Sequence, residues 1–199
     1  DTTQQNFLEL LLNLLESGGL DAIIFQDYDK GIITPAIING VNALARKQKV
    51  PVLVDPKYRN FHEYTGVTLF KPNLKELLQG LKIDLHKKDI SKIAEACIQY
   101  QEDQDLDIMM VTLSEQGILT TQGGEVTHLP AIVRDVTDVS GAGDTVISLA
   151  ALGLSTGLSS AQVASISNLA GGQVCERSGV VPVDAAQLLN ECKESLYKT

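Results

Sequence analysis

Asp138-Val139-Ser140-Gly141-Ala142-Gly143-Asp144 runs straight into the apolar, helix-spaced residues Thr145, Val146, Ile147 and Leu149. Small residues therefore stand where a helix begins. A helix start offers unpaired N–H groups and a partial positive charge, and glycines let the backbone come close to an anion, so the stretch reads as a phosphate or oxyanion cradle. Asp144 falls in the first turn, where the dipole favours its ionised form and where a general base would stand to take a proton from an attacking hydroxyl. Taken alone, the same residues also describe a tight strand-to-helix turn with a carboxylate that complements the dipole. Three related patterns are absent from this stretch. It holds no G-x-x-x-x-G-K-[ST], Val146 takes the place of the third glycine of a dinucleotide fingerprint, and the heptapeptide forms no G-x-S-x-G elbow.

Outward from this heptapeptide, apolar runs of strand length alternate with helical patterns, the rhythm of an α/β fold on a mostly parallel sheet with helices on both faces. Strands are predicted at Leu20–Phe25, Val50–Val54, Val67–Phe70 and Ile108–Leu113. Gly117–Thr121 and Glu125–Leu129, joined by Gln122, Gly123 and Gly124, predict a β-hairpin on the C-terminal side. Pro35 opens a helix to about Gln48, because its missing N–H costs nothing at the first helical position. Asn73 can cap another, and Asp89 to about Glu102 carries Ile90, Ile93, Ala94 and Cys97 on one face. Ser160 opens a helix with Val163, Ile166, Ala170 and Val174 inward and small flanks at Gly171 and Gly172, which suit close approach to a sheet or ligand. Asp184 caps the last helix, which ends near Leu196. No linker, repeat or low-complexity tract breaks the chain, so residues 1–199 are read as a single domain.

Composition narrows the function classes. The 199 residues are 44% apolar and 21% charged, the balance of a core-forming chain. With Lys plus Arg at 16 against 25 Asp plus Glu, a formal charge of −9 repels nucleic acid, and no basic patch counters it. No apolar run reaches the roughly 18 to 20 residues of a membrane span, and Leu8 to Leu15 lacks the positive flank of a signal peptide. A soluble, cytoplasmic protein is expected, with no nucleic-acid or membrane partner. Cys97, Cys175 and Cys192 are odd in number and widely spaced, so reduced structural thiols are expected. His62, His86 and His128 are scattered, without the clustering that a transition-metal site needs.

At the Asp138–Asp144 heptapeptide the chain resembles the ribokinase-like (PfkB) carbohydrate kinases, whose C-terminal signature reads D-x-[ST]-G-A-G-D. Further matches follow in order: Asn73-Leu74-Lys75-Glu76 fits the family's N-x-x-E, and Thr112 to Gly117 fits its T-x-x-x-x-G turn. Within the family the chain is most similar to the heptose 7-phosphate kinase domains of ADP-heptose synthases. That similarity runs through Asp27-Tyr28-Asp29-Lys30-Gly31, Val54-Asp55-Pro56-Lys57, Ser114-Glu115-Gln116-Gly117 and Asn168-Leu169-Ala170-Gly171-Gly172. It covers essentially all 199 residues.

The resemblance implies transfer of the γ-phosphoryl of ATP to a sugar hydroxyl, with Asp144 as base and the Gly141, Ala142 and Gly143 amides stabilising developing charge. It implies that Thr112, Ser114 and Gly117 line the nucleotide phosphates or ribose and that Asn168 faces the adenine. Asn73 and Glu76 would act on Mg²⁺ through water, a role compatible with the capping box that their spacing also describes. Lys30 and Lys57 follow apolar strands at the carboxyl ends where open α/β sheets bind ligands, and could read a phosphate on the sugar. Asp27 and Asp55 could accept from sugar hydroxyls. The expected acceptor is heptose 7-phosphate at its anomeric hydroxyl, on the route to ADP-heptose. Another sugar or nucleoside kinase of the family, and a non-catalytic nucleotide-binding fragment, remain open alternatives. Family members carry their first strands and a β-rich lid before the point matching Asp1. The chain is therefore expected to be the nucleotide-side two-thirds of a kinase, inactive by itself, with a homodimer possible in the full-length protein.

Overall fold

The computed structural model describes residues 2–132 and 134–196. Strands β1 (Ile23–Gln26), β2 (Val52–Asp55), β3 (Leu69–Phe70), β4 (Ile108–Thr112), β5 (Ile118–Gln122) and β6 (Glu125–Leu129) form one sheet in chain order. The pairings from β1 through β4 are parallel, and β5 and β6 continue the sheet as the antiparallel hairpin that Gly123 and Gly124 foretold.

The pleat sends alternate residues to opposite faces, and both faces are apolar, which is why these strands read as unbroken hydrophobic runs. Val52, Val54, Phe70, Met109, Val111 and Leu119 enter one core. There they meet α2 (Pro35–Gln48) through Ile37, Ile38, Val41 and Ala45, and α4 (Ile90–Asp103) through Ile93, Ala94 and Cys97. Leu53, Leu69, Ile108, Met110 and Ile118 enter the other, against α5 (Ala142–Ser155) and α6 (Ser160–Cys175). Helices thus cover both faces, as expected.

Local signals placed most boundaries. Pro35 opens α2, which ends where Lys49 turns left-handed (φ 61°) and donates its N–H to Ala45 O and Arg46 O. Asn73 caps α3 (Leu74–Leu81) in a complete capping box with Glu76. The Asp184 carboxylate accepts from Ala186 N and Gln187 N to start α7 (Ala185–Leu196). Some expectations shift, with β2 and β3 starting at Val52 and Leu69 rather than Val50 and Val67. The first strand starts at Ile23 rather than Leu20, because its ladder begins where Ile23 N reaches Pro51 O, and it extends to Gln26, opposite Asp55. Gly171 also lets α6 lie close to another helix, since a Cβ there would meet Val146 of α5 at 3.0 Å.

The first helix, α1 (Thr2–Glu16), packs Leu15 into the core beside α2. The segment between β2 and β3, which has no strand or helix periodicity, is held by a ring cluster. Phe61 lies edge-on to Phe70 at 5.1 Å, Tyr100 adds a third ring, and Tyr100 OH donates to Phe61 O at 2.7 Å. No helix among the described residues is long and apolar enough to cross a membrane.

Candidate active site

The parallel strands end on one rim, and each leaves a polar residue there: Gln26 closing β1 with Asp27 after it, Asp55 closing β2, Lys71 after β3 and Thr112 closing β4. The start of α5 arrives above them. Gly141 supplies its N-cap with φ 79°, a left-handed conformation that glycine adopts without strain. Asp138 shapes the approach, its Oδ1 accepting from Ser140 N at 3.0 Å and its Oδ2 from Gly179 N at 2.9 Å. Those N–H donors and the Ser140 hydroxyl hold the Asp138 carboxyl below the usual carboxylate range. Ala142 N–H is already given to Val139 O at 3.2 Å, so the neighbouring glycine amides are the ones left to meet an anion.

Asp144 sits in the exposed first turn of α5, as the sequence predicted. Its Oδ1 accepts from Gln26 Nε2 at 3.0 Å, and the Tyr28 hydroxyl lies 3.3 Å from Oδ2. Beneath Gly143 lies an ion pair, Lys71 Nζ to Asp55 Oδ2 at 3.1 Å, with side chains only 3% and 8% exposed. Lys71 was not singled out in the sequence. Its signal is a lysine placed directly after the apolar pair Leu69-Phe70 and before Pro72-Asn73.

On the other side of the α5 start a cleft of about 510 Å³ opens. Thr112, Ser114, Gly117 and Asn168, read separately as nucleotide-side residues, all line it together with Ala142 and Gly143. Gly117 has φ 86°, and a Cβ there would stand 2.0 Å from Leu129 O, so the turn admits only glycine. Asn168 Nδ2 is tied to Pro130 O at 2.9 Å, which steadies the cleft wall. Arg134 also lines the cleft, though nothing in the sequence marked it. Its guanidinium joins Glu191 of α7 at 2.6 Å and Glu176 after α6 at 2.9 Å. The hydrogen bonding that Arg134 donates to Glu191 outweighs burial and, with Glu176, raises the Arg134 pKa further.

The expected acceptor-side residues divide. Asp55 is at the rim but serves Lys71 and Gln26. Asp27 is 2% exposed and turned inward, accepting from Tyr64 OH and Asn60 Nδ2 at 2.9 Å each and from Asp29 N at 2.8 Å. A carboxylate so engaged braces the ring cluster through Tyr64. Burial and the bond to Asp27 push the Tyr64 phenol well above its ordinary pKa. Lys57 pairs with Glu76. Burial weakens its charge, but that partner, with Asp55 and Asp27, leaves its pKa raised. Lys30 is exposed and has no ion pair among the described residues.

Asn73 and Glu76 spend their first bonds on each other's backbone: Glu76 N to Asn73 Oδ1 is 2.8 Å, and Asn73 N to Glu76 Oε2 is 2.9 Å. No group of three His, Cys, Asp or Glu residues suited to a metal occurs among the described residues. Each carboxylate oxygen of Glu76 keeps a lone pair, enough for the water of a hydrated Mg²⁺ but not for a direct cage.

Residues 15–186 match the profile of the pfkB family of carbohydrate kinases. The chain belongs to the PfkB family. Among curated PfkB relatives, the bifunctional protein HldE of Sulfurimonas denitrificans is 37% identical over 194 residues, covering 96% of this chain and 40% of that protein. HldE of Pelobacter propionicus is 37% identical over 175 residues, covering 87% and 36%. The chain thus spans well under half the length of these relatives. Solved structures with the PfkB fold include phosphofructokinase-2 of Escherichia coli in complex with fructose-6-phosphate. That structure has a TM-score of 0.78 at 18% identity and covers 96% of this chain and 61% of that one. Ribokinase of Arabidopsis thaliana, complexed with ribose and ATP, gives a TM-score of 0.75 at 21% identity, covering 93% and 58%. At such identities the likeness speaks for the fold, which is the ribokinase-like α/β sheet expected from the sequence.

Proposed function

We propose that this chain is the nucleotide-binding portion of an ATP-dependent sugar kinase whose acceptor is heptose 7-phosphate, phosphorylated at the anomeric hydroxyl. The observation that carries the reading is the start of α5, where Gly143 faces the cleft lined by Thr112, Ser114, Gly117 and Asn168 while Asp144 faces the opposite rim. A nucleotide in the cleft would bring its terminal phosphate to the glycine amides. A hydroxyl beside Asp144 would then attack from the other side.

In that arrangement Asp144 takes the hydroxyl proton as the sugar oxygen bonds to the γ-phosphorus, and the bond from phosphorus to the bridging oxygen of ADP breaks. Positioning and electrostatics carry such a transfer. The Gly141 and Gly143 amides and the α5 dipole face the charge that develops. The Lys71–Asp55 ion pair lies just below Gly143 and fixes the floor of the same spot. Asn73 and Glu76 would hold Mg²⁺ through water, and the cation would neutralise the phosphate oxygens. Lys30, which has no ion pair among the described residues, would meet the phosphate already on the sugar.

The heptose assignment rests on the HldE relatives and on the resemblance at residues 27–31 and 54–57. The test is ATP-dependent turnover by the full-length protein of a panel holding heptose 7-phosphate, fructose 6-phosphate, ribose and a nucleoside. Fastest turnover of heptose 7-phosphate is expected. Preference for another member would move the acceptor within the family, and ADP release from none would leave a nucleotide-binding module.

A further inference from the structure

Gln26 closes β1 with a side chain that joins two carboxylates. Its Nε2 lies 3.1 Å from Asp55 Oδ2 and 3.0 Å from Asp144 Oδ1. Both partners can only accept when ionised, so the amide must turn its NH₂ toward them and spend one hydrogen on each. Asp55 Oδ2 also receives Lys71 Nζ at 3.1 Å. A continuous polar chain, Lys71 to Asp55 to Gln26 to Asp144, therefore crosses the rim from the end of β3 to the first turn of α5. The hydroxyl of Tyr28 is the other neighbour of Asp144, at 3.4 Å from Oδ1 and 3.3 Å from Oδ2, longer than the Gln26 contact.

We propose that Gln26 is the positioning residue for Asp144, holding Oδ1 so that Oδ2 is presented to the acceptor hydroxyl. This rests on the reading of Asp144 as the base. A carboxylate on an exposed helical turn is free to change rotamer, whereas a base must stand within hydrogen-bond reach of the proton that it takes. Gln26 is itself fixed, because its backbone is in register with Asp55 and Asp27 N donates to Asp55 O at 3.1 Å. Its amide also separates like charges. Asp55 and Asp144 would otherwise face each other with the cations Lys71 and Lys57 acting on Asp55, and neighbouring carboxylates disfavour joint ionisation. One shared NH₂ gives each of them a donor without adding charge.

The chemistry of the amide supplies a signature that a merely structural glutamine lacks. In Gln26→Glu the introduced carboxyl, when ionised, donates nothing and adds a negative charge among Asp55, Asp144, the Tyr28 phenol and Lys71, the groups that face this position. When protonated, it donates one hydrogen bond again.

The experiment measures kcat and KM against pH for the full-length kinase, with ATP and the sugar phosphate turned over fastest in the panel above. It compares wild type, Gln26→Leu, Gln26→Glu and Asp144→Asn, with thermal unfolding of each as a check on folding. Gln26→Leu is expected to lower kcat by about ten- to a hundredfold while both KM values stay within about threefold, the pattern of a misplaced base with intact binding. Gln26→Glu is expected to lose as much at pH 8. Its kcat relative to wild type should then rise at least about fivefold by pH 5, as the introduced carboxyl, with an ordinary pKa of about 4.3 pushed up by its carboxylate neighbours, regains its proton.

If both Gln26 variants keep more than about a third of wild-type kcat across this range while Asp144→Asn is inactive, the positioning role is overturned and the base assignment stands. If Asp144→Asn itself keeps wild-type turnover, the base assignment fails first. Should Gln26→Leu not fold, the pH-dependent recovery of Gln26→Glu, or its absence, decides alone.

Discussion

Lys71 and Asp55 meet at 3.1 Å in a nearly dry contact, and a methyl group placed on Gly143 would touch both, at 3.7 Å and 3.8 Å. The pair is the floor of the turn that carries Asp144. A buried ion pair adds little net stability over an apolar pair, but breaking it strands a charge. Lys71→Met is therefore expected to cost about 3 to 5 kcal/mol in urea unfolding, and adding Asp55→Asn should recover at least half. A loss below about 1 kcal/mol would mean that water reaches Asp55 and that the floor is not dry.

Asp144→Asn, made in the full-length protein, should lower kcat by about two to four orders of magnitude, the usual worth of a positioned base, with ATP affinity nearly unchanged. Steady-state turnover and calorimetric titration with ATP check the two halves. Turnover within about tenfold of wild type would reduce Asp144 to a complement of the helix dipole.

The two lysines once grouped together should now separate. Lys30 is exposed and unpaired with any carboxylate among the described residues, whereas Lys57 is held by Glu76. Lys30→Ala is expected to raise KM for the sugar phosphate by about ten- to a hundredfold and to leave KM for ATP within about twofold, as loss of a charge-assisted bond to one substrate would. Lys57→Ala should act through Glu76, changing the dependence of kcat on Mg²⁺ concentration more than the sugar KM. Identical sugar KM values in Lys30→Ala and wild type would remove Lys30 from the acceptor site.

Gly117→Ala places a Cβ 2.0 Å from Leu129 O at a φ of 86°. The turn must open, because the obstacle is backbone rather than a flexible side chain. The substitution should destabilise the fold by about 2 kcal/mol or more and weaken ATP binding, since Thr112 and Ser114 belong to the same turn. Circular dichroism melts that overlay wild type would contradict the geometry.

Burial raises the Cys97 thiol from 9.0 to about 12. Above pH 9 the unfolded chain loses this proton while the folded chain keeps it, so the unfolded state binds fewer protons and stability falls as pH rises. The contribution is intact below pH 9 and is lost up to about 12, with a slope near 1.4 kcal/mol per pH unit for one group. Tyr64 and Tyr100 are also raised, and they steepen the alkaline loss in wild type and variant alike. Cys97→Ala should flatten the fall in denaturant-derived stability between pH 9.5 and 11 by about that slope, and parallel curves would refute the burial argument.

Most of the fold was legible because its signals are local. Pro35, the Asn73 and Glu76 pair and Asp184 mark helix starts through atoms within three residues of each other, and Gly123-Gly124 marks the hairpin in the same way. The run Ile108–Leu113 marked a strand, and in β4 Met109 and Met110 enter opposite cores. The boundaries of β1 were less legible, since a strand exists only where its neighbour offers hydrogen bonds, and Pro51 sets that limit from 28 residues away.

For the site, the sequence by itself determined the glycine turn and the carboxylate on the first turn of α5, because a helix start with Gly141, Gly143 and Asp144 has the same local physics in any fold. It also marked Thr112, Ser114, Gly117 and Asn168 one by one. Only the tertiary structure decided which charges are free. Asp27 is engaged by Tyr64 and Asn60, Lys57 by Glu76, and Lys71 and Gln26, ordinary polar residues in the sequence, are the partners of Asp55 and Asp144. The reason is that a side chain's charge and hydrogen-bonding capacity belong to the residue, whereas what satisfies them depends on which strand ends and helix starts the packed sheet brings within about 3 Å.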